Sequence, residues 1–270
     1  MRTVNIFFVT LFTTLYAHES AILPPLNPDS SFSKCYYING INNTIETCLE
    51  GAHALLKTFQ GTANVIPACD MTLEPFSTED FPTFLKSIFN APFEFTEDLH
   101  SVFQSMQSGY DNAFIRLLRR QLRSDIQELD QMDDPRKLFI ISFSRGSASV
   151  YHAIEPLSPE EKSHLIIIAC GPTMLLTSDL GFKVLNLLSK RDKLSASICY
   201  ASCNLYPERY LGKKVIRLLL PKQSPSWMKR VFDHEFASRT YQKGIEKYVT
   251  ALYREFGAYN ENSTLFLSSN

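Results

Sequence analysis

Residues 137–148 read Lys137-Leu138-Phe139-Ile140-Ile141-Ser142-Phe143-Ser144-Arg145-Gly146-Ser147-Ala148. The unbroken apolar run from Leu138 to Ile141 predicts a strand covered on both faces, the pattern of a central parallel strand. The run leads straight into Ser-x-Ser-x-Gly, and a helix is expected from Arg145 to about Glu155. A strand, a tight turn at Ser144 and then a helix is the setting in which a serine hydroxyl is lifted clear of a sheet. Ser142 and Gly146 are small enough to let strand and helix approach closely. The helix N-terminus behind Ser144 aims backbone N–H groups and positive potential at the place where an oxyanion would develop. The alternative is an ordinary strand–helix turn in which Ser144 is only a cap.

The rest of the chain alternates in the same way. Cys35–Ile38 is a short strand followed by the turn pair Asn39-Gly40. Thr44 to Phe59 has helical apolar spacing, with Thr44 as cap. Ala63 to Ala68 is a second strand, and Tyr110 to Leu129 a long amphipathic helix. His164–Ala169, Phe182–Leu188 and Val215–Leu220 are further strands, and Thr240 to Phe256 closes as a helix. The runs 138–142, 165–169 and 215–220 are expected to be neighbouring buried parallel strands. The fold class is therefore α/β, with a mostly parallel central sheet and helices on both faces. Residues 34–256 form one domain on this reading, after an extended lead-in (18–33) and before a C-terminal tail (257–270). Residues 70–108, rich in Phe, Pro and Thr, are expected to be a lid or a helix-rich excursion.

Among 270 residues, 44% are hydrophobic and 20% charged, a globular balance. Lys and Arg number 27 against 28 Asp and Glu, so the net charge is −1 and nothing points to a nucleic-acid partner. The six cysteines show no metal-ligand spacing, and neither a metal nor a cofactor is expected. Met1 to Thr3 is a short basic start, and Val4 to Ala17 an apolar stretch too short for a comfortable membrane span. Residues 1–17 are thus expected to be a signal peptide, and the protein to be exported, periplasmic or secreted. The alternative is a cytoplasmic protein, or one anchored in a membrane through residues 4–17. Asn42 and Asn262 match the glycosylation triplet.

A nucleophilic serine needs a base, and the base needs an orienting carboxylate. Three histidines follow Ser144 in the chain: His152, His164 and His234. His152 falls inside the elbow helix and His164 before a strand, so both read as structural. His234, in Phe232-Asp233-His234-Glu235-Phe236, lies in a loop before the last helix and is the candidate base. Asp192 trails the 182–188 strand and is the candidate acid; Asp179 is the alternative. Asp233 is too close to His234 in sequence to face its ring. The backbone N–H groups of Ile41 and Arg145 are the candidate oxyanion donors, with Asn39, Gly40 and Gly146 supporting the two loops. The Arg145 side chain is expected to face solvent, where it could meet an acidic group of a substrate.

The segment Leu138 to Ala148, together with His234, resembles the α/β-hydrolase superfamily. More narrowly, four stretches are similar to an uncharacterised family of chlamydial proteins with a hydrolase-like core. These are Tyr37 to Thr44, Phe143 to Gly146, Ser189 to Asp192 and Asp233 to Phe236, within a likeness spanning roughly residues 34–256. Ser142 stands where such elbows commonly carry Gly, and Arg145 where they often carry Gln. The superfamily implies a serine hydrolase acting on an ester or thioester, with a small-molecule or lipid acyl substrate. The narrower likeness implies a bacterium living inside eukaryotic cells, where glycosylation is irrelevant. It also leaves a second reading: a non-catalytic exported protein that uses the fold for host-factor or envelope contact, including peripheral membrane contact. Fold alone does not decide between them.

Overall fold

The computed structural model describes residues 20–40, 44–71, 102, 104–190, 192–220, 236 and 239–257. Residues 1–17, most of 70–108, Ile41, Asn42, Asp233, His234 and Asn262 lie outside the described residues.

Among the described residues, seven strands form one sheet: β1 (Ala21–Ile22), β2 (Lys34–Ile38), β3 (Asn64–Cys69), β4 (Leu138–Phe143), β5 (Leu165–Cys170), β6 (Lys183–Ser189) and β7 (Arg217–Leu220). The spatial order is β1-β3-β2-β4-β5-β6-β7. Two-residue β1 runs antiparallel to β3, and all other pairs are parallel. The lead-in continues along the same edge, with the Leu23 N–H donating to the Pro67 carbonyl at 2.9 Å.

The helices are α1 (Ile45–Thr58), α2 (Ala113–Gln131), α3 (Gly146–Ile154), α4 (Pro159–Lys162), α5 (Lys193–Leu205), α6 (Arg239–Tyr248) and α7 (Thr250–Gly257). The strand side chains alternate between two cores. Cys35, Tyr37, Phe139, Ile141, Ile166 and Ile168 meet α1, α6 and α7 on one face. Tyr36, Ile38, Leu138, Ile140, Leu165 and Ile167 meet α2 and α3 on the other. Burial of each large apolar side chain in α2, such as Phe114, Leu118 and Leu122, contributes about 1.5–3 kcal/mol.

Local chemistry sets the helix starts. The Thr44 hydroxyl accepts the Thr47 N–H at 3.3 Å, so α1 begins at Ile45. Asn112 accepts the Ile115 N–H at 2.8 Å from an extended backbone, and α2 therefore begins at Ala113 rather than at Tyr110. The single helix expected over 240–256 is two, α6 and α7, parted at Val249.

The strands at 138–143 and 165–170 are buried parallel neighbours, as expected. The 215–220 run differs. It starts at Arg217 and pairs with β6 rather than β5, and Leu219 is 60% exposed. An apolar run at a sheet edge shares its composition with a central one, so composition could not place it.

Candidate active site

Chain order reverses across the sheet between β2 and β4, because β3 lies outside β2 while β5, β6 and β7 follow β4 on the other side. In open parallel sheets such a switch point opens a crevice beyond the carboxyl ends of the strands. The loops after β2 and β4 meet there.

Ser144 sits between the end of β4 and the start of α3, buried, with φ +52°. A non-glycine residue held in this region costs on the order of 1–3 kcal/mol and persists only where its surroundings impose it. Here they do so on two sides. The Ser144 N–H donates to the Cys170 carbonyl at 3.1 Å, and the Ser144 carbonyl accepts from the Ser147 hydroxyl at 2.8 Å. Gly40 lies directly against the turn: a Cβ on it would stand 2.8 Å from the Ser144 Cβ. A Cβ on Gly146 would stand 2.5 Å from the Asn39 carbonyl oxygen. The expected support residues Asn39, Gly40 and Gly146 are thus packed together around the serine. The Arg145 N–H lies at the N-terminal end of α3, where the helix dipole favours negative charge.

The Arg145 side chain corrects the expectation of solvent exposure. It is 3% exposed, and Nη2 stands 3.4 Å from Oδ1 of Asp70, itself 2% exposed. Asp70 follows β3 and escaped the sequence reading. Its carboxylate also accepts from the Ser149 hydroxyl at 2.6 Å, and its N–H donates to Asn39 Oδ1 at 2.9 Å. One buried aspartate therefore binds the ends of β2 and β3 to the elbow helix. Turning Arg145 outward would take its charge away from that buried carboxylate, which is why the side chain folds inward. Asp70→Ala is expected to lower stability by about 3 kcal/mol, the scale for breaking a buried ion pair. Urea denaturation would read this, and a loss under about 1 kcal/mol would show that the pair does not hold the loops.

Asp192 follows β6 and is buried at the N-cap of α5, where Oδ1 accepts the Ser195 N–H at 2.9 Å. A Cβ on Gly171 would stand 2.9 Å from Asp192 Oδ2. Gly171 directly follows Cys170, whose carbonyl holds Ser144, so one residue separates the elbow's anchor from the carboxylate. Asp179 is placed elsewhere. It lies in a turn just before the amino end of β6, with its side chain 48% exposed and paired to Lys213 at 3.0 Å. The expected base, His234, and the expected donor Ile41 lie outside the described residues. Phe236 is described, and its ring packs on Phe143 at 5.8 Å and on Tyr37 at 4.6 Å between centroids.

The other two histidines have structural partners. His152 Nε2 lies 2.9 Å from the Ser105 carbonyl, and burial drives its pKa down to about 4. His164 pairs with Asp130 at 3.0 Å. A cavity of about 140 Å³ lined by Lys34, Asp125, Glu128 and Arg136 opens at the amino ends of the central strands, at the end of the sheet opposite Ser144. Among the described residues, no three Cys, His, Asp or Glu side chains gather as a metal site, and no helix is long and apolar enough to cross a membrane.

The sheet order, the switch point and the strained serine between β4 and α3 define an α/β-hydrolase-like core. No protein-family model matches the chain, and no curated protein matches it. Among solved structures it is similar to an S-formylglutathione hydrolase from Agrobacterium tumefaciens, at 13% identity and TM-score 0.43 over 89% of this chain and 92% of that one. It is also similar to esterase PE8, at 14% identity and TM-score 0.40 over 88% of this chain and 98% of the other.

Proposed function

We propose that the chain is a serine hydrolase acting on an ester or thioester, with Ser144, His234 and Asp192 as its triad. The observation that carries this is the positive φ of Ser144, imposed by the Cys170 carbonyl and the close-packed Gly40. A serine serving only as a helix cap adopts an ordinary extended backbone and stores no such strain.

On this reading the Ser144 hydroxyl oxygen attacks the acyl carbon while His234 takes its proton. Asp192 holds the imidazole in the required tautomer and stabilises the imidazolium. The N–H groups of Arg145 and Ile41 receive the oxyanion. Collapse expels the alcohol or thiol, protonated by His234, and leaves an acyl-serine. Water, deprotonated by the same imidazole, then releases the acid. Two observations support the assignment. The Asp192 carboxylate lies beside Gly171, next to the elbow's anchor. Phe236, two residues beyond His234, is packed on Phe143, the residue preceding Ser144. A lipid or other acyl substrate, and export by way of residues 1–17 in a chlamydia-like bacterium, complete the proposal.

Fluorophosphonate labelling tests the mechanism without knowledge of the substrate. The reagent is expected to modify Ser144, located by peptide mass, and His234→Ala is expected to slow labelling at least a hundredfold, the scale of a lost general base. A folded wild-type protein that stays unlabelled would overturn the catalytic reading in favour of a non-catalytic scaffold.

A further inference from the structure

We propose that Tyr241 is a positioning residue for the catalytic acid, setting the basicity of Asp192 from α6, an element far from the elbow in sequence; this rests on the triad proposed above. The Tyr241 hydroxyl donates to Asp192 Oδ2 at 2.6 Å, with both side chains buried. The Ser195 hydroxyl lies 2.9 Å from the same oxygen but also 2.6 Å from the Gly171 carbonyl, so its single proton is divided between two acceptors. Tyr241 brings a proton committed to the carboxylate. Burial, then the neighbouring Asp192 charge, holds the phenol pKa well above its ordinary value, so Tyr241 stays a donor throughout the working range. The backbone of Ser189 supports the same hydroxyl.

The phenol is held at both ends. Its ring packs against Phe143 at 5.9 Å between centroids, edge to face, beside the nucleophile's turn. Its hydroxyl lies over Gly171, where a Cβ would stand 2.6 Å from the oxygen. Gly171 has φ +50°, so glycine is required there by conformation as well as by space. Tyr241 thus spans from the nucleophile's strand to the acid. With the Ser195 N–H on Oδ1 and Tyr241 on Oδ2, the carboxylate is fixed in rotation and keeps acceptor capacity for an imidazole N–H.

The sign of the effect follows from the donor. A hydrogen bond given to the anion stabilises it and draws charge from it, so Asp192 supports the imidazolium less strongly. Removing the hydroxyl makes the carboxylate more basic, raises the imidazole pKa and moves the acid limb of the rate profile to higher pH. Two buried thiols face the pair, Cys199 beside Asp192 and Cys170 beside Tyr241. Burial pushes both thiols up, out of the range of the limb.

The test compares wild type and Tyr241→Phe across pH, with p-nitrophenyl acetate as probe and fluorophosphonate labelling as a second rate. The expected result is kcat lower by about tenfold with KM little changed, and an acid limb displaced upward. A folded Tyr241→Phe protein with an unmoved limb and wild-type kcat would overturn the proposal, as would a lower melting temperature alone with the limb in place. Should Tyr241→Phe not fold, 3-fluorotyrosine at position 241 keeps the ring and the hydroxyl but makes its proton a stronger donor to Asp192. The acid limb is then expected to move to lower pH, and a wild-type limb would count against the role. If wild type is itself unreactive to both probes, the triad fails; if wild type reacts and the variants match it, only the Tyr241 assignment fails.

Discussion

Ser144→Ala is expected to abolish hydrolysis of p-nitrophenyl acetate and labelling by fluorophosphonate, with turnover falling about a millionfold, the scale seen on removal of a triad serine. The acyl group then has no oxygen to which it can transfer. Residual rate comes from the Arg145 and Ile41 amides and from binding alone. Alanine at 144 must still adopt the positive φ, so the fold is expected to persist with the strain unrelieved. Ser144→Gly is the companion: equally inactive, but more stable than Ser144→Ala by about 1 kcal/mol, because glycine occupies that backbone region without a Cβ clash. Urea midpoints and turnover measured together separate the two effects. An active Ser144→Ala protein would place the chemistry elsewhere.

Asp192→Asn is the second large effect. Turnover is expected to fall on the order of 10⁴, because a neutral amide holds the imidazole in the wrong tautomer and offers no charge to the imidazolium. Structure should be retained, since asparagine caps a helix about as well as aspartate and can still accept the Ser195 N–H. Circular dichroism unchanged beside a collapsed kcat would identify the acid. Full turnover in Asp192→Asn with loss in Asp179→Asn would transfer the role to Asp179, despite its pairing with Lys213.

The central strands could be read from the sequence because parallel strands buried on both faces are written as unbroken apolar runs, as at Leu138–Ile141 and Leu165–Ala169. The elbow was legible for a related reason: few settings place Ser-x-Ser-x-Gly directly after such a run. Edge position was not legible, since Arg217–Leu220 has the composition of a central strand and only pairing partners tell them apart. Apolar periodicity runs on past the capping Asn112, so it places the start of α2 at Tyr110 rather than at Ala113. In the site, Asp192 could be proposed from its place after a strand, but Asp70 and Tyr241 could not. Asp70 shows only as a lone acid ending a strand, and its partners Arg145 and Ser149 are distant in sequence. Tyr241 continues the apolar stripe of Ile245, Tyr248 and Val249 one turn earlier, so periodicity counts it as core and is silent about its hydroxyl.

The last helix also closes the amino ends of the two central strands. The Phe256 carbonyl accepts the Lys137 N–H at 2.8 Å, just ahead of β4, and the Gly257 carbonyl accepts the Ser33 N–H at 2.7 Å, just ahead of β2. During synthesis β2, β4 and the Ser144 turn leave the ribosome long before those carbonyls exist. A nascent chain can pair its first strands, but the starts of β2 and β4 stay unlatched until α7 has emerged, and α6 delivers Tyr241 only shortly before. Completion of the fold and completion of the acid's surroundings therefore wait on the same pair of helices, and a chain stalled before α6 would carry the serine turn without the Tyr241 hydroxyl on Asp192.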